Sequence, residues 1–217
     1  GLEGRGKEIF DPASNAWYWL DAIDGGKMAV NKDVYQESDG GKWVRYDANG
    51  HMVKGENCKD NAWYRFDEVT GAMVKGWYTT NDRNGKQIYY YYDENNGKMV
   101  KGEATIGGKA CMFDVSTGVA YDCAWYTKNG GKYWYEKGVR QGTEGRGKEI
   151  FDSASNAWYW LDAVDAGKMA VNKDVYQESS GGKWVRYDAN GRMVKGWNTK
   201  DGKRYYFDEV TGAMAKG

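Results

Sequence analysis

The chain is short of the residues from which most cores are built and with which most chemistry is done. Its 217 residues include three leucines (Leu2, Leu20, Leu161), one proline, one histidine and three cysteines. So little leucine excludes an ordinary aliphatic core. A single histidine, His51, leaves no second imidazole around which a Ser-His or Cys-His nucleophile pair could be built. Three cysteines allow at most one bridge and leave a thiol over, so there is no disulfide framework. Basic and acidic residues balance at 31 each. That excludes the basic face of a nucleic-acid binder that works by releasing counterions. No apolar run approaches the ~20 residues a membrane-spanning helix needs. What the chain does have is 18 tyrosines, 11 tryptophans and 31 glycines. Aromatic rings bury large areas while keeping a polar edge, and a content this high separates the chain from disordered sequences of similar hydropathy.

The sequence is also written twice. Residues 3–54 return as 144–195 with five differences: Pro12/Ser153, Ile23/Val164, Gly25/Ala166, Asp39/Ser180 and His51/Arg192. Within each copy a shorter phrase recurs, clearest in Trp63-Tyr64-Arg65-Phe66-Asp67-Glu68-Val69-Thr70-Gly71-Ala72-Met73-Val74-Lys75-Gly76-Trp77. Adjacent and alternating aromatics bounded by turn residues are strand signals. Asp-x-x-x-Gly between two apolar segments is a turn in which glycine supplies the left-handed position. The unit reads as a β-hairpin with a period near 21, from Gly55 to Gly76 and from Gly196 to Gly217. An isolated hairpin is marginal in water, so hairpins must stack. Nine are expected, at 17–30, 43–55, 63–76, 89–102, 109–123, 132–142, 158–171, 184–196 and 204–217. The fold class that follows is all-β, an elongated β-hairpin repeat solenoid without helices. A first array over 1–142 and a truncated second over 143–217 form one continuous body. The start at Gly1 and the stop at Gly217, one residue short of the expected Trp, read as cuts in a longer array.

The phrase Trp-Tyr-x-Phe-Asp-x-x-x-Gly-x-Met-Val-Lys-Gly-Trp resembles the choline-binding and glucan-binding-like cell-wall repeats of Gram-positive surface proteins and autolysins. The repeats of large clostridial toxins and glucan-synthesising enzymes are similar. The resemblance implies a solenoid with ligand held between successive hairpins in a cage of aromatics, one wall completed by methionine. By that spacing Tyr35 and Trp43, eight residues apart, would join Tyr64 of the next hairpin, with Met52 between. The second copy gives Tyr176, Trp184, Met193 and Tyr205. Trp77 and Tyr89 stand twelve apart across an insert, with Cys111 where their third aromatic belongs. Trp125 with Tyr133 or Trp134, and Tyr159 beyond, is a looser candidate. Glu56 and Glu103 replace the tryptophan that follows Gly at two junctions.

Plainer readings stand beside these. In a leucine-poor stack most aromatics are core, Phe66, Phe207, Met73 and Val74 first among them. Residues 64 and 66 share one strand face, 63 and 65 the other. Arg45, Arg65 and Arg186 then suggest an exposed face carrying Trp43, Trp63 and Trp184. The recurring turn acids Asp47, Asp67, Asp93, Asp114 and Asp208 cap their turns; a Ca²⁺ loop needs more acid. His51, repeated as Arg192, reads as a solvated turn residue. Cys111 and Cys123 flank a degenerate hairpin and are placed for a bridge; the rival is three free thiols.

The function expected is non-enzymatic and extracellular, without cofactor or metal. It is a module anchoring a larger surface or secreted protein to choline-bearing cell wall or a surface polysaccharide. The other reading is a structural spacer or adhesin stalk contacting a host glycan or protein. Choline and glycan ligands use the same aromatic platforms, and the residues leave that choice open.

Overall fold

The structure, a computed structural model of the chain, describes residues 5–37, 40–178 and 181–216. The Asp39/Ser180 difference, Leu2 and Gly217 lie outside these. Strand accounts for 52% of the chain and helix for 2%, a 3-10 turn at Ala163–Asp165 included, so the architecture is all-β. The chain divides into two compact units, 1–101 and 102–217.

Among the described residues nine antiparallel hairpins carry the fold. In the first unit they pair Gly6–Asp11 with Ala16–Asp21, Lys32–Gln36 with Lys42–Tyr46, Gly55–Lys59 with Ala62–Phe66, and Gly76–Asn81 with Gln87–Tyr92. In the second they pair Gly102–Ile106 with Lys109–Phe113, Ala124–Lys128 with Gly131–Glu136, and Gly147–Asp152 with Ala157–Asp162. Lys173–Gln177 with Lys183–Tyr187 and Gly196–Lys200 with Lys203–Phe207 complete it. The number matches the sequence reading, but the frame differs. The aromatic strand's main partner lies upstream of it, and the methionine segment after the Asp turn adds a short third edge. Phe66, for example, makes an isolated bridge to Met73. The reason is turn chemistry. Asp60 and Asn61 both have positive φ, 52° and 59°, between Lys59 and Ala62. Two left-handed residues in a row make the tight turn whose twist suits a hairpin, and Gly107-Gly108, Asn129-Gly130 and Asp201-Gly202 repeat it.

The last aromatic of each second strand is the core. Tyr46, Phe66 and Tyr92 of the first unit, and Phe113, Tyr135, Tyr187 and Phe207 of the second, are fully buried. Each such ring is worth about 1.5–3 kcal/mol relative to exposure. Stacking is fixed by the methionine segment. Met73 donates its N–H to the Trp43 carbonyl of the preceding hairpin (2.8 Å), while Val74 donates to Arg65 of its own (2.8 Å). The same link joins Met52 to Trp17, Met99 to Trp63, Met193 to Trp158 and Met214 to Trp184. Side chains reinforce it. A Cβ on Gly71 (φ 66°) would collide with the Met52 sulfur, so the turn of one hairpin closes over the methionine of the previous one. Tyr46 Oη donates to Glu8 (3.0 Å) and accepts from Gln36 (2.9 Å), tying the second hairpin to the first, and Tyr187, Glu149 and Gln177 repeat this network. Burial, and then the Glu8 charge, raise the Tyr46 phenol well above its ordinary range.

The turn acids cap their turns. Asp67 Oδ1 accepts from the Val69 and Thr70 amides and the Thr70 hydroxyl, and Asp114 and Asp208 do the same. The expected bridge between Cys111 and Cys123 is not made: neither they nor Cys58 form a disulfide. Cys111 is buried in a ladder between Ala104 and Val139, whereas Cys123 is exposed at φ 48° just before the next strand. Strand pairing, not a crosslink, supplies the packing that the missing aromatic would have given.

Candidate ligand-binding surface

Tryptophans at the start of the second strands form the exposed aromatic surface. Trp17, Trp43, Trp63, Trp158 and Trp184 are 37–44% exposed. Their carbonyls accept the methionine amides of the next hairpin, so each ring stands at the edge of a junction. Exposed tryptophans repeated at one position are not a core device.

The predicted residues are brought together in part. Tyr35 lies directly opposite Trp43 in the register, their ring centroids 5.4 Å apart, and Tyr176 and Trp184 repeat the pair at 5.4 Å. Tyr64 is buried and its ring face is taken. The Arg45 guanidinium lies over it at 4.1 Å and over Phe66 at 5.1 Å. Arg45 is held there by two bonds to Asp33 (2.7 and 2.9 Å) and one to Asn57 (2.9 Å). In the second copy Arg186 lies 4.4 Å above Tyr205 and bonds Asp174 twice and Asn198 once. Of the three arginines thought to mark an exposed face, Arg45 and Arg186 are therefore buried, at 4% and 5% exposure, and Arg65 is half-buried over Tyr78, although Trp43, Trp63 and Trp184 on that face are exposed as expected. Packing of one hairpin on the next covers the outer half of the strand and leaves its tryptophan free. The methionine joined to Trp43 is Met73; Met52 packs with Trp19, Val34, Val44 and Tyr46. Met193 likewise packs with the buried cluster of Trp160, Val175 and Tyr187.

Trp77 is 43% exposed and lies against Tyr91, its register partner, at 5.3 Å; Tyr89 stands two residues earlier, opposite Thr79. Trp125 meets Trp134 across its hairpin (5.0 Å) and Tyr159 of the next (5.1 Å), both edge-on.

Two open wells adjoin these rings. In the first unit, Phe10, Trp17, His51, Met52 and Lys54 line a cavity of about 450 Å³, with Phe10 and Trp17 5.2 Å apart. His51 is not the solvated residue expected: it is half-buried and packs edge-on to Tyr18 at 5.3 Å. In the second unit, Trp125, Lys132, Asp152, Tyr159 and Arg192 line one of about 500 Å³. Asp152 Oδ2 accepts from Trp125 Nε1 (3.2 Å) and Ser155 Oγ (2.8 Å), and Tyr159 Oη donates to Ser155 (2.9 Å). Burial opposes ionisation of Asp152, but the bonds from Ser155 and Trp125 outweigh it and hold its carboxyl below the usual carboxylate range. Sequence reasoning found Trp125 and Tyr159 and missed Asp152, Lys132 and Arg192. The His51/Arg192 difference between the copies was the available signal.

These features define an all-β hairpin-repeat module with aromatic wells at its junctions. The model of the choline-binding repeat matches residues 36–78 in the first unit and 178–217 in the second. In fold it is similar to choline-binding protein F of Streptococcus pneumoniae, with TM-score 0.63 and 23% identity over 87% of this chain and 57% of that one. CbpJ of Streptococcus pneumoniae TIGR4 is similar with TM-score 0.63 and 22% identity, over 92% of this chain and 70% of that one. A third structure, choline-binding protein F in the presence of a peptidoglycan analogue, matches with TM-score 0.60 and 20% identity over 97% of this chain and 78% of that one. At these identities the likeness is one of fold, and the chain spans 57% of the length of the first of these proteins. No curated protein sequence matches the chain.

Proposed function

We propose that the chain is a non-catalytic module that binds choline residues of a cell-wall polymer in aromatic wells between hairpins, and so anchors a larger surface or secreted protein. The observation that carries this is the exposed tryptophan repeated at the edge of five junctions, in a chain of which two stretches match the choline-binding repeat. A quaternary ammonium donates no hydrogen bonds, and aromatic faces hold it at roughly 0.5–2 kcal/mol per contact. Single wells of this strength are weak, and several on one polymer supply working avidity. His51 serves the wall of a well through packing on Tyr18, and Arg192 replaces it in the copy, which is not how a catalytic base is used. Among the described residues no helix is long and apolar enough to cross a membrane, and attachment through the wall polymer needs none.

Titration of the chain with choline chloride and with a panel of glucans, followed by tryptophan fluorescence and calorimetry, tests this. Saturable quenching by choline at millimolar concentration, without a response to glucans, is expected. A response to glucans alone overturns the choline assignment.

A further inference from the structure

Whether a hairpin carries a hydroxyl in its core follows from the hairpin before it. Four glutamates share one register position, opposite the residue just before the core position of their own hairpin. Glu8 faces Trp19, Glu56 faces Arg65, Glu103 faces Met112 and Glu149 faces Trp160. The next hairpin then has tyrosine at its core position: Tyr46, Tyr92, Tyr135 and Tyr187 in turn. Where the position holds Asp33, Trp125 or Asp174, the next hairpin has Phe66, Leu161 or Phe207, which carry no hydroxyl. These are all the successive pairs of described hairpins within the two units. A buried phenol needs a partner, and the preceding hairpin offers one.

A donor completes the set. At one position near the end of the tyrosine hairpin's first strand stand Gln36, Thr80, Lys128 and Gln177. Gln36 Nε2 donates to Glu8 (2.7 Å) and Gln177 Nε2 to Glu149 (2.6 Å), and each glutamate also accepts from its tyrosine. Lys128 donates to Glu103, while Tyr135 Oη accepts from Arg140 (3.1 Å). The fourth set is not joined. Glu56 turns to Arg65 of its own hairpin, 3.4 Å away, and stays 47% exposed. Tyr92 is fully buried, and its hydroxyl has no partner among the described residues. Burial, and then the Glu56 charge, hold that phenol above its ordinary range, so it remains a donor.

We propose that glutamate, tyrosine and the first-strand donor form a latch between successive hairpins, and that the junction of the third and fourth hairpins is built with the latch open, so that the first unit yields there first. An exposed ion pair such as Glu56–Arg65 contributes little, whereas an orphaned buried hydroxyl weakens the closed junction. Threonine in place of glutamine removes the amide that would offset the charge of an inward carboxylate. Neighbouring units of a repeat array are held by their interfaces, so local opening follows the weakest one.

Backbone links report each junction separately. The Met99 amide donates to Trp63 across this one (2.7 Å), the Met73 amide to Trp43 across the one before (2.8 Å), and the Met52 amide to Trp17 across the one latched by Gln36 (2.8 Å). Native-state hydrogen exchange is followed on the ¹⁵N-labelled chain, with the dispersed amide spectrum confirming the fold of each variant. The Met99 amide is expected to exchange about tenfold faster than that of Met73. Thr80→Gln supplies the missing donor and is expected to slow Met99 about fivefold, the scale of one hydrogen bond, without moving Met73. Gln36→Thr is the reverse change and is expected to speed Met52 by about the same factor. Tyr92→Phe removes the orphaned hydroxyl and is expected to leave Met99 exchange unchanged or slower. Equal exchange at Met99 and Met73, no slowing in Thr80→Gln or no acceleration in Gln36→Thr overturns the proposal. Faster Met99 exchange in Tyr92→Phe does so too, because the hydroxyl would then already be held.

Discussion

Replacing Arg45 by alanine removes the cation that fills the junction between the second and third hairpins, and the cost can be worked from its contacts. The guanidinium makes three hydrogen bonds, two to Asp33 and one to Asn57, and stacks on Tyr64 and Phe66. Its side chain is 5% exposed and that of Asp33 is 30% exposed. Breaking a buried pair by deleting one partner costs about 3–5 kcal/mol, because the other charge is stranded. Water reaches a third of Asp33, so the lower end applies and Arg45→Ala is expected to lose about 3 kcal/mol. Arg45→Lys keeps the charge but not the two-pronged fit, and about 1.5 kcal/mol is expected, the scale of one hydrogen bond to a charged group. Urea unfolding followed by far-UV circular dichroism measures the global loss. Hydrogen exchange at the Val44 and Tyr64 amides measures it locally, which matters in a repeat array whose units open separately. Arg186→Ala must reproduce the effect in the second unit, since its contacts are the same. Asp33→Asn with Arg45→Met removes both charges and should recover part of the loss. A cost below 1 kcal/mol for Arg45→Ala, with unchanged exchange at both amides, would refute the view that a resident arginine cements the junction.

Trp43→Ala and Trp184→Ala should each cost under about 1 kcal/mol in the same unfolding assay, because rings 41% and 44% exposed leave no closed cavity. Each should remove a similar part of the choline-induced fluorescence change; a loss of several kcal/mol would mark the ring as core. Peptide mapping without reductant should find no bridge. Under a limiting alkylating reagent Cys58 should react well before Cys111, whose burial pushes its thiol pKa up. The hydrogen bond from Arg186, the largest contribution, lowers the Asp174 pKa in the folded chain. The stability this gives is whole above the unfolded value near 3.9 and is lost as pH falls through the folded value. The stability gap between wild type and Asp174→Asn should therefore be constant above about pH 4 and close as pH falls below it.

Much of this molecule is legible in its sequence because strand alternation and turn residues act locally. Aromatics at alternate positions between glycine and aspartate can only make short strands, and two copies of one text must make two copies of one structure. Those facts determined the all-β class, the nine hairpins, the capping role of the turn acids, the burial of Phe66 and Phe207 and the exposure of Trp43, Trp63 and Trp184. Pairing frame was also written locally, in Asp60-Asn61 and its counterparts, but the Asp-x-x-x-Gly turn is more conspicuous and drew the hairpin one strand too far along. What only the tertiary structure decided lies where one hairpin meets the next. Arg45 lies twelve residues from both Asp33 and Asn57, and only register and stacking turn that spacing into a closed clamp over Tyr64. The Trp125 well draws its rings and its charges from separate hairpins. A side chain's face is set by its own strand, whereas what covers that face is set by the angle at which the next hairpin packs, and no period in the sequence carries that angle.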